Sequence, residues 1–242
     1  MKKHLLFFFS LVISVASFAQ NNSYNQRSYN QKSYNQKSFN QIKPTFGVKA
    51  GLSETGIRGD ASTNFNNLLS NTNGILTTQD QTGFFAGAFV NLPVGDVLSL
   101  EPGIYYSQKG YQLHGALDIK GLGFLGANAK ASLKLEYVDI PVLLKMNFNG
   151  LQLFAGPQFS YLAHGNLKTT ASVLGLNLLN NNSDVTADFS KWDVGITGGI
   201  GYKFAGGFNI SASYDYGLSK IDANQNVNAY NRGIKVGVGI SL

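Results

Sequence analysis

Gly233-Ile234-Lys235-Val236-Gly237-Val238-Gly239-Ile240-Ser241-Leu242 alternates without a fault: even positions are aliphatic, odd positions are glycine, lysine and serine. Successive side chains of a β-strand point to opposite faces, so this stretch reads as a strand with one greasy face and one small or polar face. Seven further segments carry the same period: Thr45–Ser53, Gly83–Leu92, Val97–Lys109, Val138–Phe148, Leu151–Tyr161, Trp192–Lys203 and Phe208–Ser219. The whole region from residue 44 to 242 therefore reads as all-β.

The connections between these segments alternate in length. Three are tight: Pro93-Val94-Gly95-Asp96, Asn149-Gly150 and Phe204-Ala205-Gly206-Gly207. Asn-Gly between two alternating runs is the strongest short-range signal of a hairpin. The other four are long, at about Glu54–Thr82, Gly110–Tyr137, Leu162–Lys191 and Lys220–Arg232. Strict alternation puts every long loop at one end and both termini at the other. Bacterial outer-membrane barrels are organised this way, with short periplasmic turns and longer outer loops. The expected fold is an eight-stranded antiparallel up-and-down transmembrane β-barrel.

A soluble barrel of lipocalin type also alternates, but it keeps its apolar side chains inside. Here the apolar face is large and uncharged in all eight segments, whereas Lys or Arg at mid-bilayer costs ~2–4 kcal/mol. The opposite face is rich in Gly and Ser and carries four cations (Lys49, Lys145, Lys203, Lys235) and four anions (Glu101, Asp139, Asp193, Asp215). Glycine suits a tight interior, and equal numbers of opposite charges suit a lumen filled by pairs, because an unpaired buried charge is costly. The greasy face is therefore assigned to lipid and the charged face to a structural lumen network. Aromatic residues sharpen the assignment. Phe84, Tyr106, Tyr161, Trp192 and Tyr216 stand at the long-loop ends of their strands; Phe46, Phe148, Tyr202 and Phe208 stand at the short-turn ends. Two belts separated by aliphatics are what two membrane interfaces select. Strand four is irregular: Leu133, Leu135 and Tyr137 have opposite parity to Ile140, Val142 and Leu144, which calls for a bulge near Val138 or a strand running past the membrane.

The 242-residue chain has a formal charge of +6, but residues 1–43 hold six basic side chains and no acid, while residues 44–242 hold 13 of each sign. Met1–Ala19 reads as a secretory signal: Lys2 and Lys3, an apolar run Leu5–Val15, and Ser17-Phe18-Ala19 as a small-x-small cleavage site. Residues 20–43 hold a five-residue repeat, Ser-(Tyr/Phe)-Asn-Gln-(Arg/Lys), running from Ser23. Period five gathers the aromatics on no face, and polar tracts of this kind bury too little to offset chain entropy. A disordered periplasmic tether is expected, ahead of a Tyr/Arg stretch that sticks to an anionic polymer or a partner.

At Tyr137-Val138-Asp139-Ile140-Pro141-Val142-Leu143-Leu144-Lys145 the chain resembles the outer-membrane β-barrel family of Bacteroidetes that includes the PorT-like and "porin family" proteins. Phe46-Gly47-Val48-Lys49-Ala50-Gly51-Leu52-Ser53 and Leu153-Phe154-Ala155-Gly156-Pro157 are similar to other blocks of that family. The resemblance spans about residues 44–242 and implies eight strands in the outer membrane. One member is linked to a secretion system, and nothing here matches that role residue by residue. Gly237-x-x-Ile240-x-Leu242 is similar to the assembly signal read by the barrel-insertion machinery, but departs from it in ending on Leu and in having Val236 at a usually polar position.

Catalytic chemistry is sparse. With no Cys there is no disulfide, thiolate zinc site or Cys nucleophile. His114 and His164, both in long loops, have no His or Cys at ligand spacing. The sequence reads His114-Gly115-Ala116 and His164-Gly165-Asn166, without the His-x-Ser of lipid A deacylases, and no Gly-x-Ser-x-Gly elbow occurs. No metal, cofactor or catalytic residue is expected, and nucleic-acid binding is disfavoured by the neutral barrel and the export signal. The expected role is that of a non-enzymatic barrel, structural or binding through its long extracellular loops, with outer-membrane lipid and a secretion-system or extracellular protein as partners. The alternatives are a secretion-system accessory barrel and a rim enzyme modifying lipid A.

Overall fold

The structure, a computed structural model, describes residues 43–59, 76–117, 127–173, 176–224 and 228–242. The signal sequence and the repeat expected over 1–42 lie outside the described residues. Among the described residues, nine antiparallel strands follow in chain order: β1 (Thr45–Arg58), β2 (Leu76–Pro93), β3 (Leu98–Leu117), β4 (Ala127–Phe148), β5 (Leu151–Val173), β6 (Leu176–Asp184), β7 (Trp192–Lys203), β8 (Phe208–Gly217) and β9 (Tyr230–Ser241). Each of β1 to β5 pairs with its successor, β5 pairs on with β7, and β7, β8 and β9 follow. The β1–β9 ladder, from Gly47↔Ser241 to Arg58↔Tyr230, closes the ring at eight strands. Closure matters energetically, since a ring leaves no sheet edge whose N–H and C=O groups would sit unpaired in hydrocarbon.

Local chemistry sets the short turns. Asn149 and Gly150 both take positive φ, 50° and 96°, the geometry a two-residue hairpin needs to match the strand twist. Gly206 and Gly207 do the same at 89° and 87° before β8. The outward faces are those assigned from the alternation: Phe46, Val48 and Leu52 on β1, Ile196 and Ile200 on β7, and Ile234, Val236 and Val238 on β9 are all exposed.

Two expectations change. The long connections are largely strand. β3 and β4 pair from Leu98↔Met146 to Leu117↔Ala127, where a loop was expected over 110–137. β5 runs on to Val173 and folds back into β6, which pairs with β5 alone, where a loop was expected over 162–191. Outside a lipid slab a hairpin has no reason to alternate greasy and polar side chains, so Ser-, Thr- and Asn-rich strands escape a periodicity reading. The parity break in β4 takes the second of its two expected forms, a strand running on past the aromatic level to Ala127, and the bulge lies on its partner β5 instead of near Val138. Glu136 lies opposite His164 and Tyr137 opposite Leu162, so the extra residue is Ala163 on β5, and β4 itself is regular. Leu133, Leu135 and Tyr137 simply point inward, on the same face as Asp139.

Candidate functional site

Among the described residues, the charged, buried side chains converge in the lumen. Near the short turns, Glu101 on β3 bonds Lys145 on β4 and lies 3.9 Å from Lys49 on β1. Both ammonium groups also stand over the rings of Phe89 and Phe154, at 5.4 to 5.7 Å from their centroids. Farther along, Asp139 takes Lys109 through one oxygen and Lys235 through the other, each at 3.0 Å, and accepts from Ser107. Lys235 reaches on to Asp215 at 2.7 Å. Lys109 donates to Ser160 at 3.1 Å and lies 3.9 Å from Asp193, which accepts from Asn231 at 2.7 Å and Ser219 at 2.8 Å. Glu101 and Asp139 are only 2% and 1% exposed, so these are ions held away from water, the first by lysines on β1 and β4 and the second by lysines on β3 and β9.

Seven of the eight lumen charges expected from sequence thus meet an opposite charge. Lys203 does not: it lies half-buried at the short-turn mouth with no carboxylate within 4 Å among the described residues. Lys109 takes the fourth cationic place. Its signal was present, because Lys109 shares the odd parity of Glu101, Tyr105 and Ser107 in one alternating segment. It was overlooked because it closes that segment, where a loop was taken to begin.

The interior is also more aromatic than Gly and Ser suggested. Phe85, Phe89, Tyr105 and Phe154 all turn inward and are buried. Glycines on nearby strands make room for them: a Cβ on Gly237 of β9 would come 2.7 Å from the Phe85 ring of β2, and one on Gly199 of β7 2.8 Å from Phe154 of β5. Such approaches lie well inside van der Waals contact, so a ring and a side chain exclude each other there.

The two ends of the lumen differ. At the short-turn end a vestibule of about 510 Å³ opens, lined by Asn91, Ser99, Asn147, Gln152 and Lys203 with the Glu101–Lys145 pair as its floor. At the hairpin end Leu133, Leu135, Tyr137 and Leu162 form a fully buried apolar plug, against which Tyr111, Leu167, Val185 and Phe189 pack. The connection from β6 to β7 is stitched across this end to the connection from β8 to β9. Phe189 bridges Asp222, Ser190 N–H donates to the Ile221 carbonyl at 2.8 Å, and Ala223 N–H to that of Asp188 at 3.1 Å. At this crown Asp184 is held below its ordinary carboxyl range by the Thr186 hydroxyl and backbone N–H, with His164 and Lys191 helping.

The nine aromatics expected as belts face outward; Tyr161 packs edge-on against Trp192 at 5.1 Å, and Phe84 lies tilted against Tyr106 at 5.5 Å. The side chain of His114 lies outside the described residues. Among the described residues no three His, Cys, Asp or Glu side chains are grouped as a metal would require.

A closed antiparallel ring with an apolar exterior and an ion-paired interior defines a membrane-spanning β-barrel. The model of the outer membrane protein beta-barrel domain matches residues 18–223, and the chain belongs to that family and resides in the cell outer membrane. No curated protein matches it. Among solved structures it is similar to Neisserial surface protein A (13% identity over 81% of this chain and 97% of that one, TM-score 0.45). It is similar also to the attachment invasion locus protein Ail of Yersinia pestis, solved with the heparin analogue sucrose octasulfate (11%, 83% and 100%, TM-score 0.43). A third is OprG of Pseudomonas aeruginosa (13%, 82% and 95%, TM-score 0.37).

Proposed function

We propose that this protein is a sealed, non-enzymatic barrel that serves as a structural or binding element through its long hairpins, with those hairpins outside the cell and the short turns in the periplasm. One observation carries the reading: the apolar plug of Leu133, Leu135, Tyr137 and Leu162 closes the hairpin end above an ion-paired lumen. Eight strands leave an interior just wide enough for side chains to fill, and here they fill it. What the protein presents to its surroundings is then its outer surface, anchored by belts of Phe84, Tyr106, Tyr161, Trp192 and Tyr216 at the outer interface and Phe46, Phe148, Tyr202 and Phe208 at the inner one. Residues 1–19 are the export signal in this reading, and 20–43 a tether on the periplasmic side. Planar bilayers carrying the refolded chain should stay silent; large, stable open-state conductance would overturn the sealed-lumen reading.

A further inference from the structure

The lipid-facing wall does not end at the aromatic level. On β4 the outward series Leu144, Val142, Ile140, Val138 continues in unbroken register through Glu136, Lys134, Ser132 and Lys130. On β5, beyond the extra residue Ala163, the same face carries Asn166, Lys168 and Thr170, and on β6 Asn180, Asn182 and Asp184. Antiparallel partners share a face, so the pairs Lys134↔Asn166, Ser132↔Lys168 and Lys130↔Thr170 set three lysines in adjacent rows of one surface. Lys130 and Lys168 are exposed and Lys134 half-buried. Among the described residues none of the three has a carboxylate within 4 Å, whereas the lumen cations Lys49, Lys109, Lys145 and Lys235 all do. The acids of this face stand at its membrane-side edge, and Asp184 there is engaged by Thr186 and His164.

Height identifies what such a strip meets. Val138 pairs with Tyr161 at the aromatic level. Lys134 and Lys130 lie four and eight residues farther on, which at ~3.4 Å per residue and ~40° of tilt puts them roughly 10 and 20 Å above that level. That is the headgroup and inner-sugar zone, reached sideways from the barrel wall and not from its crown. We propose that Lys130, Lys134 and Lys168 bind the phosphate groups of a phosphorylated glycolipid of the outer leaflet. The proposal rests on the reading that the long hairpins face outward.

The test titrates phosphorylated lipopolysaccharide, and the same lipid dephosphorylated, into the refolded full chain in zwitterionic micelles, read by Trp192, the single tryptophan. Near a charged surface each lysine contributes about fivefold to affinity, so the triple Lys130→Gln, Lys134→Gln, Lys168→Gln variant should bind on the order of a hundredfold more weakly. The corresponding triple Arg variant should bind like the wild type, and binding should fall as salt rises. Equal heat-dependent gel mobility of the variants shows that the barrel is intact; if the triple Gln variant lacks it, the single Lys168→Gln variant, at fivefold, carries the test. Wild-type affinity in the Gln variant, equal affinity for the dephosphorylated lipid, or preference for a soluble sulfated polysaccharide would each overturn the proposal. A Lys168→Cys variant, in a chain with no other cysteine, separates the two readings. Labelling by an impermeant maleimide on whole cells is the expected result, and its failure would overturn the outward orientation and the lipid site together. Labelling without a binding defect in the Gln variant would overturn only the site.

Discussion

Replacing Asp139 by Ala removes a carboxylate that holds two buried ammonium groups at once. Lys109 and Lys235 each lie 3.0 Å from it, and both are less than a tenth exposed. Lys235 keeps Asp215 at 2.7 Å, but Lys109 is left with a serine hydroxyl and with Asp193 at 3.9 Å. Removing one partner of a buried pair costs about 3–5 kcal/mol, most of it the penalty on the ion left behind. For a domain of this size roughly 2–4 °C is lost per kcal/mol, so the unfolding midpoint should drop by about 6–20 °C. The assay is urea and thermal unfolding of the refolded full chain in lipid vesicles, followed by Trp192 emission and by gel mobility. A double-mutant cycle isolates the interaction. Lys109→Met with Asp139→Asn should be less destabilised than the sum of the singles by roughly 1–3 kcal/mol, because each removes the other's stranded charge. Strict additivity, or a midpoint unmoved by Asp139→Ala, would refute the argument that paired charges hold the lumen together.

Three further outcomes are expected. Ile196 is half-exposed midway between Trp192 and Tyr202 on β7, so Ile196→Arg should cost ~2–4 kcal/mol in vesicles, while Asn182→Arg on β6 leaves the unfolding curve unchanged. Gly237→Val should destabilise by about 1–3 kcal/mol through overpacking against the Phe85 ring at 2.7 Å and the Ala50 carbonyl at 2.9 Å, and a compensating Phe85→Ala should recover part of the loss; an unchanged midpoint for Gly237→Val would contradict the packing described. At the crown, the depressed folded pKa of Asp184 means its hold on Thr186 is present above the ordinary value of 3.8 and lost as pH falls below it. Protection of the Thr186 amide, which donates to Asp184 at 2.8 Å, measured relative to its intrinsic exchange rate, should fall in that acidic range, and an Asp184→Asn variant should show no such fall.

Particular residues mark how far the amino-acid order could be read. The outward face of β9, Ile234 to Ile240, and the turn at Asn149-Gly150 are visible as period two and as an Asn-Gly pair, because lipid on one side and close packing on the other impose strict alternation. The eight-strand count and the separation of a greasy from a charged face follow from the same constraint. That Lys109 joins the ion pairs while Lys203 has no carboxylate within 4 Å among the described residues is beyond parity, which says which face a side chain takes but not which charge from another strand will reach it.

What the order of residues determined on its own is therefore the class of protein and the sidedness of each strand, since burial in a bilayer writes itself into every second position. Only the tertiary structure decided the rest. Which carboxylate holds which lysine depends on register between strands far apart in sequence, as Lys109–Asp139 and Lys235–Asp139 show. That Leu133, Leu135 and Tyr137 turn into the lumen instead of facing lipid depends on β4 staying regular while β5 absorbs an extra residue at Ala163. The hairpins beyond the membrane are invisible to periodicity because water and lipid no longer sort their two faces. Their strand structure, and the lysine strip on their outer wall, emerge only when the ladders are in place.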